Sequence, residues 1–164
     1  MTQINLSRAL KLKNRVVHRL SQLDTLIITY NSTQEDNQEY DTRELYKART
    51  HLAGFLVELK TAINAANQPV QKVIFELAEC KSLIAMLNKV DTKHGPHLEG
   101  FSSVRINYVA QLRKAELDRE VKRVEREIDR LQDELDRFNY KTLITIDRSA
   151  FADEEPGPSA LFEL

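Results

Sequence analysis

The stretch LDREVKRVEREIDRLQDELDRF, residues 117–138, decides the class of fold. Its apolar residues Leu117, Val121, Val124, Ile128, Leu131, Leu135 and Phe138 recur at steps of 4-3-4-3-4-3, with charge or amide at nearly every other position. A seam of that period predicts a long amphipathic helix of coiled-coil type, which needs a partner helix within the chain or from another subunit. Asp118–Lys122 and Asp133–Arg137 are at the i,i+4 spacing that supports such a helix.

Two more long helices follow from the sequence on the N-terminal side. Leu6, Leu10, Val16, Val17, Leu20, Leu23, Ile27 and Tyr30 give a helical period from about Leu6 to Tyr30. The polar run Asn31–Gln38 breaks it and predicts a loop. Asp41-Thr42-Arg43-Glu44 has the spacing of a capping box, with Asp41 as N-cap. From it a seam of Leu45, Ala48, Leu52, Phe55, Leu59 and Ile63 continues toward Asn67. Gly54, inside that helix, suggests a close helix–helix contact. Pro69 ends the segment, since the residue before a proline avoids helical geometry, and suits the first turn of the next helix. That third helix carries Val70, Val73, Ile74, Leu77, Leu83, Ile84, Leu87 and Val90, a broad apolar surface that predicts burial on more than one side.

The remaining segments are short. Asp91–Gly100 holds two glycines and a proline and predicts a surface loop. Ser103–Val109 and Tyr140–Ile146 alternate apolar and polar residues, as short strands do, and could pair with each other across the ends of the long helix or with another subunit. The expected architecture is mainly α: an antiparallel long-helix bundle or coiled coil, oligomeric, admitting one short two-stranded β element. Residues 1–146 form a single helical domain in this reading, and 147–164 an acidic flexible tail whose Phe151, Leu161 and Phe162 could dock as a short motif.

Composition narrows the function classes. The 164 residues carry 24 Lys+Arg against 25 Asp+Glu, no Trp and one cysteine. No apolar run approaches the ~18 residues of a spanning helix, so no membrane role is expected. The lone Cys80 precludes an intrachain disulfide, and the start of the chain lacks the pattern of a secretory signal. A cytoplasmic protein is the expectation. The run of residues contains no GxGxxG, GxxxxGK[ST], GxSxG or HExxH. His94 and His97 are the only close histidine pair and have no Cys in their loop and no acidic residue adjacent to either of them, so neither metal nor cofactor is expected, and no enzyme activity.

Charge is unevenly distributed. The tail from Asp147 has five acids against Arg148, a net of −4, which leaves residues 1–146 at +3. Arg8, Lys11, Lys13, Arg15 and Arg19 make a cationic stripe on the first helix, yet +3 overall is too little to expect nucleic acid as a partner. A small phosphorylated ligand is the better match. Asn64, Asn67, Arg105, Asn107, Tyr108, Asn139, Tyr140 and Lys141 sit at segment ends. Their amides also suit caps and turns, but with rings for stacking and cations for phosphate they form a candidate ligand-binding set.

Leu59-Lys60-Thr61-Ala62-Ile63-Asn64-Ala65-Ala66-Asn67 resembles the "RINxTN" stretch of the septicolysin-like family of small bacterial and phage helical proteins. Residues 127–140, from Glu127 to Tyr140, are similar to its closing "IxxLDxxIQxxNW", and Leu6-Ser7-Arg8-Ala9-Leu10 resembles its first helix. The family's DG turn and Arg-Asp pair around the third helix are replaced by Val70-Gln71-Lys72-Val73 and Cys80-Lys81-Ser82, and Tyr140 stands where Trp is usual. The resemblance implies a helical-hairpin protomer that oligomerises with itself. It also implies an anti-defence role, in which phage-borne relatives sequester nucleotide signals of bacterial immunity inside the host cell. A structural or adaptor coiled-coil protein acting through protein–protein contacts is the alternative function.

Overall fold

A computed structural model of the chain describes residues 1–32, 39–98 and 105–147. Strand β1 (Thr2–Asn5) leads into helix α1 (Leu6–Tyr30), followed by α2 (Thr42–Asn67), a single 3-10 turn at Gln68–Val70, and α3 (Gln71–Leu87). Strands β2 (Gly95–Leu98) and β3 (Arg105–Tyr108) precede α4 (Lys114–Lys141), and β4 (Leu143–Ile146) closes the described chain. The molecule is mainly helical, as the periodicities require.

Contacts along the chain group into two compact units, one of Met1–Pro69 with the chain from Arg137 on, the other of Val70–Asp136. In the first, α1 and α2 pack along one another. Their direction is antiparallel. The rings of Tyr30 and Tyr40 meet at 4.7 Å where the chain turns back, and Arg49 Nε donates to Asp24 Oδ1 at 2.9 Å between the two helices. That hydrogen bond, with the carboxylate's charge, raises the Arg49 pKa. Leu6, Ala9, Leu12, Val16 and Leu23 of α1 bury against Leu52, Phe55, Leu56, Leu59 and Ile63 of α2. Strands β1 and β4 pair antiparallel, Ile4 opposite Ile144 and Thr2 opposite Ile146, and they contribute Ile4, Ile144 and Ile146 to the same core.

Local signals account for where these elements start. Asn5 caps α1 by accepting from the Arg8 N–H at 2.9 Å, and Asp41 caps α2 by accepting from the Arg43 and Glu44 N–H groups. Each satisfies donors that the first turn of a helix leaves without intrahelical partners. Glu44 is turned to Lys47 Nζ at 2.7 Å, an ion pair one turn on. Pro69 falls in the 3-10 turn between α2 and α3, where its missing N–H costs nothing.

In the second unit, α4 buries four of its seven seam residues: Val124 and Leu131 are each 1% exposed, and Leu117 and Leu135 are buried too, while Val121 and Ile128 are half-buried. α3 buries Leu77 and Leu87. The hydrogen bond to Glu120 and that carboxylate's charge raise the Arg123 pKa, with a smaller contribution from Cys80, which places Cys80 of α3 near this turn of α4. The exposed side of α4 is tied along its own length. Arg123 holds Glu120 at 2.6 Å, and Arg130 holds Glu127 at 2.7 Å and Glu134 at 3.2 Å. Asp118 takes Lys114, not Lys122, at 3.4 Å.

Five expectations need correction. There are two two-stranded ribbons among the described residues, not one. The 104–109 and 140–146 segments do not pair with each other: β3 pairs with β2, and β4 with β1. Gly95–Leu98, read as loop, is strand because Gly95 adopts φ +87°, a left-handed geometry open to glycine, and so redirects the chain into a ribbon. Gly54 makes no close helix contact, since a Cβ added there would meet nothing within 4 Å. α3 is covered on one side only, with Phe75 61% and Met86 51% exposed. The loop expected at Asn31–Gln38 lies largely outside the described residues, as does the expected flexible tail beyond Asp147.

The glutamates on α4 give a pH expectation. Hydrogen bonds from Arg123 and Arg130 lower the pKa values of Glu120 and Glu127 below the usual range, with the cations' charge adding to the effect. A carboxylate whose folded pKa is depressed contributes stability above its unfolded value, about 4.3, and loses it as pH falls through the folded one. Thermal midpoints followed by circular dichroism should therefore stay level from pH 7 to about 5 on account of these two groups and drop below pH 4. The Glu120→Gln/Glu127→Gln variant should drop less over the same interval. An equal drop would show that these pairs contribute nothing.

Candidate functional site

Five of the eight candidate ligand-binding residues come together at one end of the first unit. Because α1 and α2 run antiparallel with 25 and 26 residues each, the last turns of α2, with Asn64 and Asn67, return to the level of the first turn of α1. The C-terminal turn of α4 arrives at the same place. The Leu6 N–H donates to the Thr142 carbonyl at 2.8 Å, and the Thr142 N–H to the Phe138 carbonyl at 2.9 Å. Phe138 packs against the core, and Asn139, Tyr140 and Lys141 follow it directly. Asn64, Tyr140 and Lys141 are exposed there, and Asn67 and Asn139 half-buried. Three amides, a phenol ring and an ammonium are thus carried at the same end of the helix pair. The end also presents apolar surface, with Tyr140 73% and Leu143 59% exposed.

Arg105, Asn107 and Tyr108 belong to the second unit, on β3. Arg105 stands opposite Leu98 and Asn107 opposite Pro96 in the ribbon, and both are exposed. Tyr108, half-buried, serves as the ribbon's platform: His97 meets its ring edge-on at 5.8 Å, and Lys93 Nζ lies 5.5 Å from its centroid. The Ala110 N–H donates to His94 Nδ1 at 3.3 Å. The two loop histidines therefore organise the ribbon's base. Among the described residues, no group of three or more His, Cys, Asp or Glu could hold a metal ion. Cys80 is half-buried.

One feature of the surface escapes a reading of segment ends. The outer side of α2 has a shallow groove of about 570 Å³ lined by Tyr46, Lys47, Thr50, His51, Gly54 and Glu58 over Phe55. It exists because Gly54 supplies no side chain where its neighbours one turn either way do. Among the described residues no polar or charged side chain is buried. The chemistry on offer is hydrogen bonding, stacking and charge at the surface. No described helix is long and apolar enough to cross a membrane. No family model, no curated protein and no solved structure matches the chain.

Proposed function

We propose that the protein is a non-enzymatic, self-associating binding protein that sequesters a small phosphorylated or nucleotide-derived ligand, an immune signalling nucleotide being the case the family resemblance suggests. The observation that carries this reading is the convergence of Asn64, Asn67, Asn139, Tyr140 and Lys141 at one end of the α1–α2 pair. Amides suit the hydrogen-bonding edge of a base, a phenol ring its face, and an ammonium a phosphate. Ligand sites bury most of the ligand's surface, and an end as open as this one has a single wall. A second copy covering Tyr140 and Leu143 supplies the other wall, which makes the pocket inter-subunit and removes apolar surface from water in the same step.

The test is a thermal-shift and calorimetric panel of cyclic nucleotides and ADP-ribose derivatives, combined with light scattering. Stabilisation by at least one member and a mass above the 19.0 kDa of the single chain are expected. Tyr140→Ala should then weaken the ligand about tenfold, since stacking on one aromatic ring contributes roughly 1–3 kcal/mol. A clean monomer, or no response across the panel, overturns the reading.

A specific observation favours the adaptor reading as second choice. The seam of α4 is buried within the chain, so it is not the surface offered to a partner. The uncovered side of α3, with Phe75 and Met86, is. Phe75→Glu with Met86→Glu abolishing self-association, while Tyr140→Ala leaves it intact, would decide for that surface.

A further inference from the structure

We propose that the chain's own C-terminal segment, Arg148–Glu155, lies along the outer side of α2 as a strap, with Phe151 seated in the groove over Gly54. Neither the ligand site at the end of the helix pair nor self-association enters this inference.

Gly54 supplies the first reason. A glycine inside a helix destabilises it relative to alanine. Alanine would fit here, because an added Cβ meets nothing within 4 Å. The described fold therefore gains no packing from this glycine. What Gly54 provides is the open space of the groove, about 570 Å³, with Phe55 beneath it. Phe55 is 4% exposed and belongs to the same apolar cluster as Ile144 and Ile146 of β4.

The second reason is where the described chain ends. β4 begins at the end of the α1–α2 pair, where the Thr142 carbonyl accepts from the Leu6 N–H. It packs on α2, and Ile144 and Ile146 both stay buried in the shared cluster. A strand that begins at the end of a helix pair and remains buried runs inward over the pair. β4 thus aims the chain from the last turns of α2 toward its middle. Phe151 is five residues beyond Ile146, a reach of at most about 17 Å. Gly54 is about 15 Å along the helix from Asn64 in the last turns of α2, so the ring can arrive there.

Charge order supplies the third. Along the groove from its C-terminal end come Glu58, the gap at Gly54, then His51 and Lys47. Along the segment come Arg148, Phe151, then Asp153, Glu154 and Glu155. With Phe151 at Gly54 the spacings agree. On an extended chain Arg148 falls about 10 Å before the ring, and Asp153 and Glu154 about 7 and 10 Å after it. On the helix Glu58 is about 6 Å to one side of Gly54, and His51 and Lys47 about 4.5 and 10.5 Å to the other. Long side chains cover the differences. A guanidinium then meets a carboxylate at one end, and carboxylates meet an imidazole and an ammonium at the other. Lys47 also holds Glu44 at 2.7 Å, and an ammonium has three N–H donors to share. In the opposite direction Arg148 would face Lys47, and the acids would face Glu58. Charge therefore selects the direction in which β4 delivers the chain. Leu161 and Phe162 do not repeat this order, having Glu163 beside them and no cation on the side nearer β4.

The chain has no tryptophan, so Phe151→Trp gives a single fluorescent reporter. Acrylamide should quench it at least about threefold less than Phe162→Trp, since a ring seated over Phe55 leaves the water. Gly54→Leu fills the groove. It should raise the quenching of the Phe151→Trp reporter to the level of Phe162→Trp, with helicity by circular dichroism unchanged. In the same reporter, Glu58→Arg and Arg148→Glu should each release the ring, and the two together should restore its protection. Protection should also persist over about a hundredfold dilution, because the contact is intramolecular. Equal quenching at 151 and 162, protection that survives Gly54→Leu, or no restoration in the charge-swapped pair would each overturn the proposal. So would protection lost on dilution, which would place the segment on a second copy.

Discussion

Leu59→Ala should destabilise the protein by about 3–5 kcal/mol, the range for a leucine truncated inside a core that cannot collapse around the gap. Leu59 is 1% exposed and sits in the cluster shared by α1, α2, β1 and β4. That cluster draws on four elements held by different connections: Ile4 on β1, Leu6 and Val16 on α1, Leu59 itself on α2, and Ile144 and Ile146 on a strand that arrives from the far end of the chain. No single backbone shift closes a cavity whose walls are anchored separately, so the upper half of the range is expected. Val57→Ala, two residues earlier on the same helix, is the control. Val57 is 65% exposed, and its truncation should change stability by no more than about 0.5 kcal/mol. Urea midpoints for the two variants and the parent, at unchanged slope, measure the difference. A Leu59→Ala cost near that of Val57→Ala would mean that α1 and α2 do not share a packed core.

The helices were legible in the sequence because each carries its period in its own residues. Leu6, Tyr30, Asp41 and Asn67 bound α1 and α2 closely, since a cap residue or an apolar seam is a local signal. The strands were not. β1 is four residues, Thr2–Asn5, and only the presence of Leu143–Ile146 opposite makes it a strand. Nothing within Thr-Gln-Ile-Asn specifies a partner about 140 residues away. The 140–146 segment had a readable alternation but two available partners, and pairing is decided by where α1 and α4 place their ends. At β2 the deciding feature is one backbone angle at Gly95, which glycine permits but does not announce.

The candidate site divides along the same line. Asn64, Asn67, Asn139, Tyr140 and Lys141 share an end because the helices that carry them have predictable lengths and directions. Arg105, Asn107 and Tyr108 are grouped with them by residue type and by place at a segment end, but they stand on a ribbon of the other unit. Residue type says what a side chain can bind; only topology says with which others.

Leu131→Ala should cost about 2–5 kcal/mol, and Arg130→Ala, one residue earlier, should leave the melting temperature almost unmoved. The pair separates two accounts of what holds α4. Arg130 has the denser polar network on the helix, paired at once with Glu127 and Glu134, and its pKa is raised by those carboxylates. Its side chain is nevertheless 56% exposed. Water and salt screen such pairs, and the entropy of holding long side chains in place offsets much of what remains. Leu131 is 1% exposed and makes no polar contact. Burying it removes its whole apolar surface from water, and truncating it leaves an empty volume beside Val124 and Leu135 on the same seam. The seven seam positions, and not the ion pairs between them, therefore attach α4 to the molecule. The ion pairs hold α4 helical along its exposed side and keep that side neutral. Raising salt to 0.5 M should accordingly lower the helicity of an isolated 114–141 peptide while barely shifting the melting point of the whole protein. A large salt-induced loss of stability in the whole protein, with Leu131→Ala tolerated, would assign the attachment to charge.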